Sequence, residues 1–162
     1  MAKRKTRTTK AKRTTGRRAV KRQWFRRTMR YLLRGALAVS VIIAAVMLLG
    51  RYVAPWTTPY MYLESQRLGD VTYDWVALED MAPVMARSVV AAEDANFCTL
   101  WGFDMVAIRE AIEDGGTRGA STLSQQTVKN LYLWHGRNYL RKALEALMTP
   151  ALEAMWPKKR II

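Results

Sequence analysis

The sequence predicts a mainly α protein, with a single N-terminal transmembrane helix followed by a small helical domain. Three observations predict it. Gly35 to Gly50 runs sixteen residues without a charge. Downstream, apolar residues recur at helical spacing between cap and turn signals. No convincing β-rich region and no internal repeat is present.

The charge is concentrated at one end. The 162 residues hold 27 Lys and Arg against 13 Asp and Glu, for a formal net charge of +14. Residues 1–30 carry fourteen of the cations and no acid, and the rest of the chain is balanced. Almost no large apolar residue lies in this tail, so it cannot bury enough surface to fold alone. Lys/Arg clusters suit nucleic-acid phosphates or anionic lipid headgroups. The apolar segment that follows selects the membrane, and no nucleic-acid partner is expected.

Residues 31–53 form that segment, about 23 residues or roughly 34 Å as a helix. Arg34 and Arg51 bracket it and are expected to snorkel to the two interfaces. Trp24, Tyr31, Tyr52 and Trp56 suit interfacial belts. The basic leader is long and Tyr52-Val53-Ala54-Pro55 is a poor cleavage site, which argues against a signal peptide. The positive-inside rule puts residues 1–30 in the cytoplasm and residues 54–162 outside it. The single Cys98 makes no internal disulfide and reads as buried filler.

After the span, Pro55 to Pro59 reads as a stiff linker. Thr72 to Val76 suggests a short extended segment. Asp80 suits an N-cap and Pro83 a first helical turn, with Val84, Val89, Val90 and Ala91 as the apolar face. Asp104 caps a helix to about Asp114, with Met105, Ile108 and Ile112 on one side and Gly115-Gly116 ending it. The last helix begins near Asn138. Its stripe runs through Leu140, Leu144, Leu147, Met148, Ala151, Leu152 and Met155, with a kink expected at Pro150.

The most informative stretch is Thr117 to Glu145. Arg118-Gly119-Ala120 is a turn, and Ser121 or Thr122 caps the helix that follows. On a helical projection Ser121, Thr122, Gln125, Gln126, Lys129 and Asn130 share one half-circle. Arg137, Arg141 and Lys142 follow, then Glu145. This pattern reads either as a cradle for an anionic sugar or diphosphate ligand, or as a polar helix face beside a solvated basic loop. Glu93 sits near Phe97, Trp101 and Phe103. An apolar aromatic pocket there would desolvate its charge, raise its pKa and suit it to general acid or base work. Glu145 lies one turn after Arg141, where an ion pair is the plain reading. Two carboxylates flanking a sugar bond are the equipment of glycosyl chemistry.

Here a family resemblance enters. Glu93-Asp94-Ala95-Asn96-Phe97 through Gly102-Phe103-Asp104 resembles the first motif of the bacterial peptidoglycan glycosyltransferases, the lysozyme-like family 51. Gly119-Ala120-Ser121-Thr122-Leu123-Ser124-Gln125-Gln126-Thr127-Val128-Lys129-Asn130 resembles the second, and Arg141-Lys142-Ala143-Leu144-Glu145 the third. Trp156-Pro157-Lys158-Lys159-Arg160-Ile161-Ile162 looks like the start of the fourth. The resemblance covers residues 55–162 and points to the monofunctional biosynthetic branch.

It implies polymerisation of lipid II into glycan strands with release of undecaprenyl diphosphate, at the bacterial cytoplasmic (inner) membrane. Glu93 would be the base and Glu145 the second important carboxylate. Lys129 and Arg137 would bind the diphosphate, Ser121, Gln125 and Gln126 would line the site, and Arg141 would support Glu145 or contact the diphosphate. Implied partners are lipid II, the growing strand, the membrane and other cell wall synthesis or division proteins. Some members use a divalent cation at the diphosphate; no metal-ligand spacing is present, and His135 alone reads as a loop residue. Two departures stand out. Leu100 occupies a position usually held by His, and the fourth motif's Glu-x-Tyr-Leu-Asn continuation lies beyond Ile162. The expectation is therefore an incomplete, C-terminally truncated lysozyme-like domain at 54–162, with a leucine-rich last helix short of packing partners. The alternatives are a catalytically inactive membrane protein that binds lipid II or partners, and a lysozyme-like glycan hydrolase.

Overall fold

The structure is a computed structural model that describes residues 9–69, 71–115, 119–136 and 138–162, with side chains from Gln23 onward. Among the described residues seven α-helices follow one another: α1 Thr9–Tyr52, α2 Pro59–Leu68, α3 Pro83–Glu93, α4 Met105–Glu113, α5 Leu123–Tyr132, α6 Tyr139–Met155 and α7 Lys158–Ile161. No strand occurs among the described residues, in line with a mainly α fold. The chain divides into two compact units, Met1–Ala45 and Val46–Ile162.

The described part of the first unit is helix, from Thr9 onward. Within α1, Gln23–Tyr52 is long and apolar enough to cross a membrane. Trp24 and Tyr31 are exposed, as lipid-facing anchors are. The basic tail differs from the expectation, because α1 already begins at Thr9. A helix grows at one hydrogen bond per residue once nucleated, and Lys and Arg are good helix formers. The apolar span supplies the nucleus that the tail extends.

The second unit has a small core of Met47, Phe97, Leu123, Val128, Leu133, Leu152, Trp156 and Ile161. Val128 and Leu152 are fully buried, each contributing about 1.5–3 kcal/mol. Met47 belongs to α1, so the end of that helix contributes one side chain to this core. The Arg51 guanidinium, at the end of the span, donates to the Met155 carbonyl.

Several local expectations change. Thr58 and Pro59 do not close a linker; buried Thr58 caps α2 by accepting the Met61 N–H at 3.1 Å, with Pro59 at the first helical position. Residues 71–77 form no strand. Asp80 ends a 3-10 turn, Leu78–Asp80, and α3 starts from Ala82 without a side-chain cap. No α3 residue is buried, and Val84 and Val89 lie exposed. Asp104 does cap α4, accepting the Val106 and Ala107 N–H groups. The Ala107 N–H, then the Asn96 amide, hold its carboxyl below the usual range. In α4 the buried residue is Ala111, whereas Met105 and Ile112 are exposed. Cys98 is exposed too.

Asn138 caps α6, which continues through Pro150. Its apolar stripe splits: Leu152 is buried, Leu144, Met148, Ala151 and Met155 pack on the core, and Leu140 and Leu147 face outward. A 17-residue helix turns these positions over too wide an arc for one small core to cover.

One buried group lacks a partner. The Tyr132 hydroxyl makes no hydrogen bond among the described residues, and burial pushes its pKa up to about 12, against a smaller pull from the Arg160 charge. The folded chain keeps this proton where the unfolded chain loses it, near pH 10. Its contribution to stability is therefore whole below about pH 10 and declines as pH rises toward about 12. Tyr132→Phe should gain about 1 kcal/mol at pH 7 by removing the orphan hydroxyl. Denaturant titrations of both proteins in detergent across pH 7–12 check this. The stability of the parent should fall relative to Tyr132→Phe only above about pH 10.

Candidate active site

The site forms where α3 ends and α5 begins. Glu93 is the last residue of α3 and Asp94 is its C-cap. Buried Asp94 accepts the Leu123 N–H through Oδ2 at 3.0 Å, which joins the two helix ends. A carboxylate there satisfies one of the helix's four unpaired N–H groups and faces its positive end.

The start of α5 is fastened a second way. Thr122 and Gln125 form a capping box, the Thr122 hydroxyl accepting the Gln125 backbone N–H and the Gln125 side-chain Oε1 accepting the Thr122 backbone N–H at 3.0 Å. The Thr122 hydroxyl also donates to the Gly102 carbonyl at 2.7 Å. Gly102 has φ +79°, and a Cβ there would come within 3.0 Å of Thr149 Cγ2 on α6. Only glycine combines that backbone with so close a helix.

Glu93 is exposed, so the apolar aromatic pocket expected around it does not exist. Phe97 is buried elsewhere, in the core, with the Lys158 ammonium 4.4 Å from its ring centre. Trp101 is exposed. The turn after Asp94 carries these aromatics past the helix end, where the core offers Phe97 more burial than Glu93 does. Glu93 instead accepts the Gln126 amide N–H at Oε2, at 3.0 Å.

Lys158 fastens the loop that follows. Its ammonium donates to the Leu100 carbonyl at 2.7 Å and pairs with buried Glu153 at 2.6 Å, and Ser124 of α5 also donates to Glu153. The position where Leu replaces the family's His is therefore held through its backbone.

The remaining candidates divide. Lys129 is half-buried, one turn beyond Gln126 on α5, and no carboxylate pairs with it among the described residues. Ser121 is exposed and receives a hydrogen bond from Lys142 at 3.0 Å. Glu145 is only 2% exposed and is paired with both Arg141, at 2.6 Å, and Lys142. Arg141 also donates to the Gly136 carbonyl at 2.8 Å and so ties down the loop before α6. Gln125 is buried in the capping box. Its half-circle is thus not one solvent-facing surface. Arg137, like Gly116, Thr117 and Arg118, lies outside the described residues. His135 rests edge-on against Tyr60, its Nδ1 3.2 Å from the hydroxyl, as a loop residue does.

Beside Glu93 opens a cleft of about 400 Å³, lined by Asn96, Ala107, Glu110 and Ser121 among others. Among the described residues no three His, Cys, Asp or Glu side chains gather as a metal-ligand set. An exposed carboxylate at a cleft, oriented by an amide, can take a proton from a bound hydroxyl, and a cation one turn beyond that amide on α5 can face developing negative charge. Sequence reasoning missed the capping box, although the spacing Thr122-x-x-Gln125 marks it. It also missed Lys158 with Glu153, whose spacing signals nothing.

The two carboxylates should separate in a stability measurement. Glu145→Ala leaves Arg141 and Lys142 without their buried partner and should cost about 3–5 kcal/mol. Glu93→Gln should stay within about 0.5 kcal/mol of the parent. Denaturation midpoints in detergent check both.

Comparison with known proteins adds the following. The transglycosylase family model matches residues 62–162. The biosynthetic peptidoglycan transglycosylase of Jannaschia sp. (strain CCS1) is 56% identical over 133 residues, 82% of this chain and 56% of that protein. The protein of the same description from Stutzerimonas stutzeri (strain A1501) is 46% identical over 141 residues, covering 81% of this chain and 57% of its own. That of Caulobacter vibrioides is 39% identical over 148 residues, covering 86% and 63%. The chain thus spans less than two thirds of the length of these curated relatives.

Proposed function

We propose, since the chain belongs to the transglycosylase family, that it takes part in polymerising lipid II into glycan strands for the bacterial cell wall. One observation carries the reading: the exposed Glu93 carboxylate lines the cleft and is held by the Gln126 amide, one turn of α5 before Lys129, which pairs with no carboxylate among the described residues.

In this reading Glu93 accepts the proton of the acceptor sugar hydroxyl. The freed oxygen attacks the anomeric carbon of the growing strand. The bond from that carbon to the diphosphate breaks, with inversion, and undecaprenyl diphosphate leaves. Gln126 orients Glu93 through the amide contact. Lys129 faces the departing negative charge, with Arg137 as a second cation. Ser121 lines the cleft, while Gln125, Arg141 and Glu145 act by holding α5 and α6 in place. No three-ligand set stands beside Lys129 among the described residues, and no step here runs through a divalent cation.

A substrate carried on a lipid explains the apolar helix Gln23–Tyr52. The fourteen cations at the N-terminus support a cytoplasmic start and an extracytoplasmic site at the inner membrane. Other cell wall synthesis or division proteins are the partners such a membrane enzyme would meet. A glycan hydrolase has no diphosphate leaving group, and Lys129 would then have no anion to face.

The test is polymerisation of lipid II in detergent by this chain, by Glu93→Gln and by Lys129→Ala. Glu93→Gln should lose at least about 100-fold in rate while retaining lipid II binding. Lys129→Ala should weaken binding as well as rate. Equal, non-zero rates for the parent and Glu93→Gln would remove Glu93 as the base. Binding without polymer from every variant would assign this chain a binding role only, and release of sugar fragments from purified peptidoglycan would favour a hydrolase.

A further inference from the structure

The end of α1 is held by more than its covalent link. Met47 is 1% exposed, and its carbonyl receives the Trp156 indole N–H at 2.7 Å. The Gly50 carbonyl receives both Nε and Nη2 of Arg160, at 3.1 and 2.8 Å, and Nη2 also donates to the Val53 carbonyl at 3.0 Å. A helix ends with carbonyls that lack intrahelical donors, and a cation there also complements the dipole. The planar guanidinium supplies several donors at once, which an ammonium cannot arrange in the same way. It lies 5.0 Å from the centre of the Trp75 ring and 5.4 Å from that of Trp156, so its position is set from several sides.

Gly50 is where this contact closes. A Cβ built there would lie 2.7 Å from the Tyr132 hydroxyl oxygen and 2.9 Å from Trp156 Cζ2. Tyr132 is the last residue of α5, one turn beyond Lys129, and its ring meets Trp156 edge-on at 6.5 Å.

We propose that Gly50, Trp156 and Arg160 form a joint that locks the last two turns of α1 onto the end of α5. The end of the membrane helix is then mechanically coupled to the helix bearing Gln126 and Lys129, and is not a passive tether. The close approach of the Tyr132 and Trp156 side chains to the Gly50 backbone and the Arg160 fork are its two parts. The joint does not depend on the activity proposed above, so its failure and the failure of that reading are separable.

Amide hydrogen exchange on the full chain in detergent micelles tests it. Gly50→Ala and Arg160→Ala should each speed exchange at residues 50–53 and also at 129–133, at least about tenfold, with α4 unchanged. Arg160→Lys should recover part of the protection. Adding Tyr132→Phe to Gly50→Ala removes the oxygen that the new methyl meets and should also restore part of it. Loosening at 50–53 that leaves 129–133 unchanged would overturn the coupling. So would an equal rise across α4, which marks general loss of stability, or no change in either variant.

Discussion

The hydrogen bond from the Leu123 amide to the buried Asp94 carboxylate is the contact on which the site depends. It joins residues 29 positions apart and sets the C-terminus of α3 against the N-terminus of α5. Glu93 precedes Asp94, and Gln126 and Lys129 follow Leu123 by one and two turns. A single charge-assisted hydrogen bond therefore joins the end of the helix that carries the candidate base to the start of the helix that carries the candidate diphosphate cation. Bonds of this kind contribute about 1.5–3 kcal/mol, and here the acceptor also offsets the unpaired N–H groups of the helix start.

The other polar contacts surround that joint. Thr122 and Gln125 close the start of α5 and reach the Gly102 carbonyl, while Lys158 and Glu153 hold the loop between Phe97 and Leu100. Glu145, with Arg141 and Lys142, ties α6 to Ser121. Arg141 and Lys142 pair with Glu145, Lys158 with Glu153 and Lys159 with Glu79, while Asp94, Asp104 and Arg160 bond backbone groups. Glu93 and Lys129 differ, because among the described residues Glu93 meets only the Gln126 amide and Lys129 no carboxylate, and this separates groups free to act on a ligand from groups that hold the frame.

Legibility in the sequence followed how local each signal was. Asp104, Asn138 and Gly115 act within one turn of their own helices, and each does what its position suggests. The sixteen uncharged residues of Gly35–Gly50 likewise need no context. Asp80 failed because Pro83 starts α3 three residues later, from Ala82. Thr58-Pro59 read as linker because Pro-rich stretches and helix starts share residues. The aromatic pocket around Glu93 failed for a different reason: nearness in sequence says nothing about which side of a turn faces the core. Glu145 and Arg141 read correctly as an ion pair, since positions four apart meet on any helix. The joint of Gly50 with Trp156 and Arg160 spans more than a hundred positions, and no local pattern announces it.

The most direct test of the central claim keeps Glu93, Gln126 and Lys129 intact and removes only what holds them together. Lipid II binding by Asp94→Ala, with helix content followed by circular dichroism, does this. The account predicts dissociation constants raised at least about tenfold with helix content preserved, because α5 loses its fastening to α3. Binding as tight as that of the parent chain would contradict it.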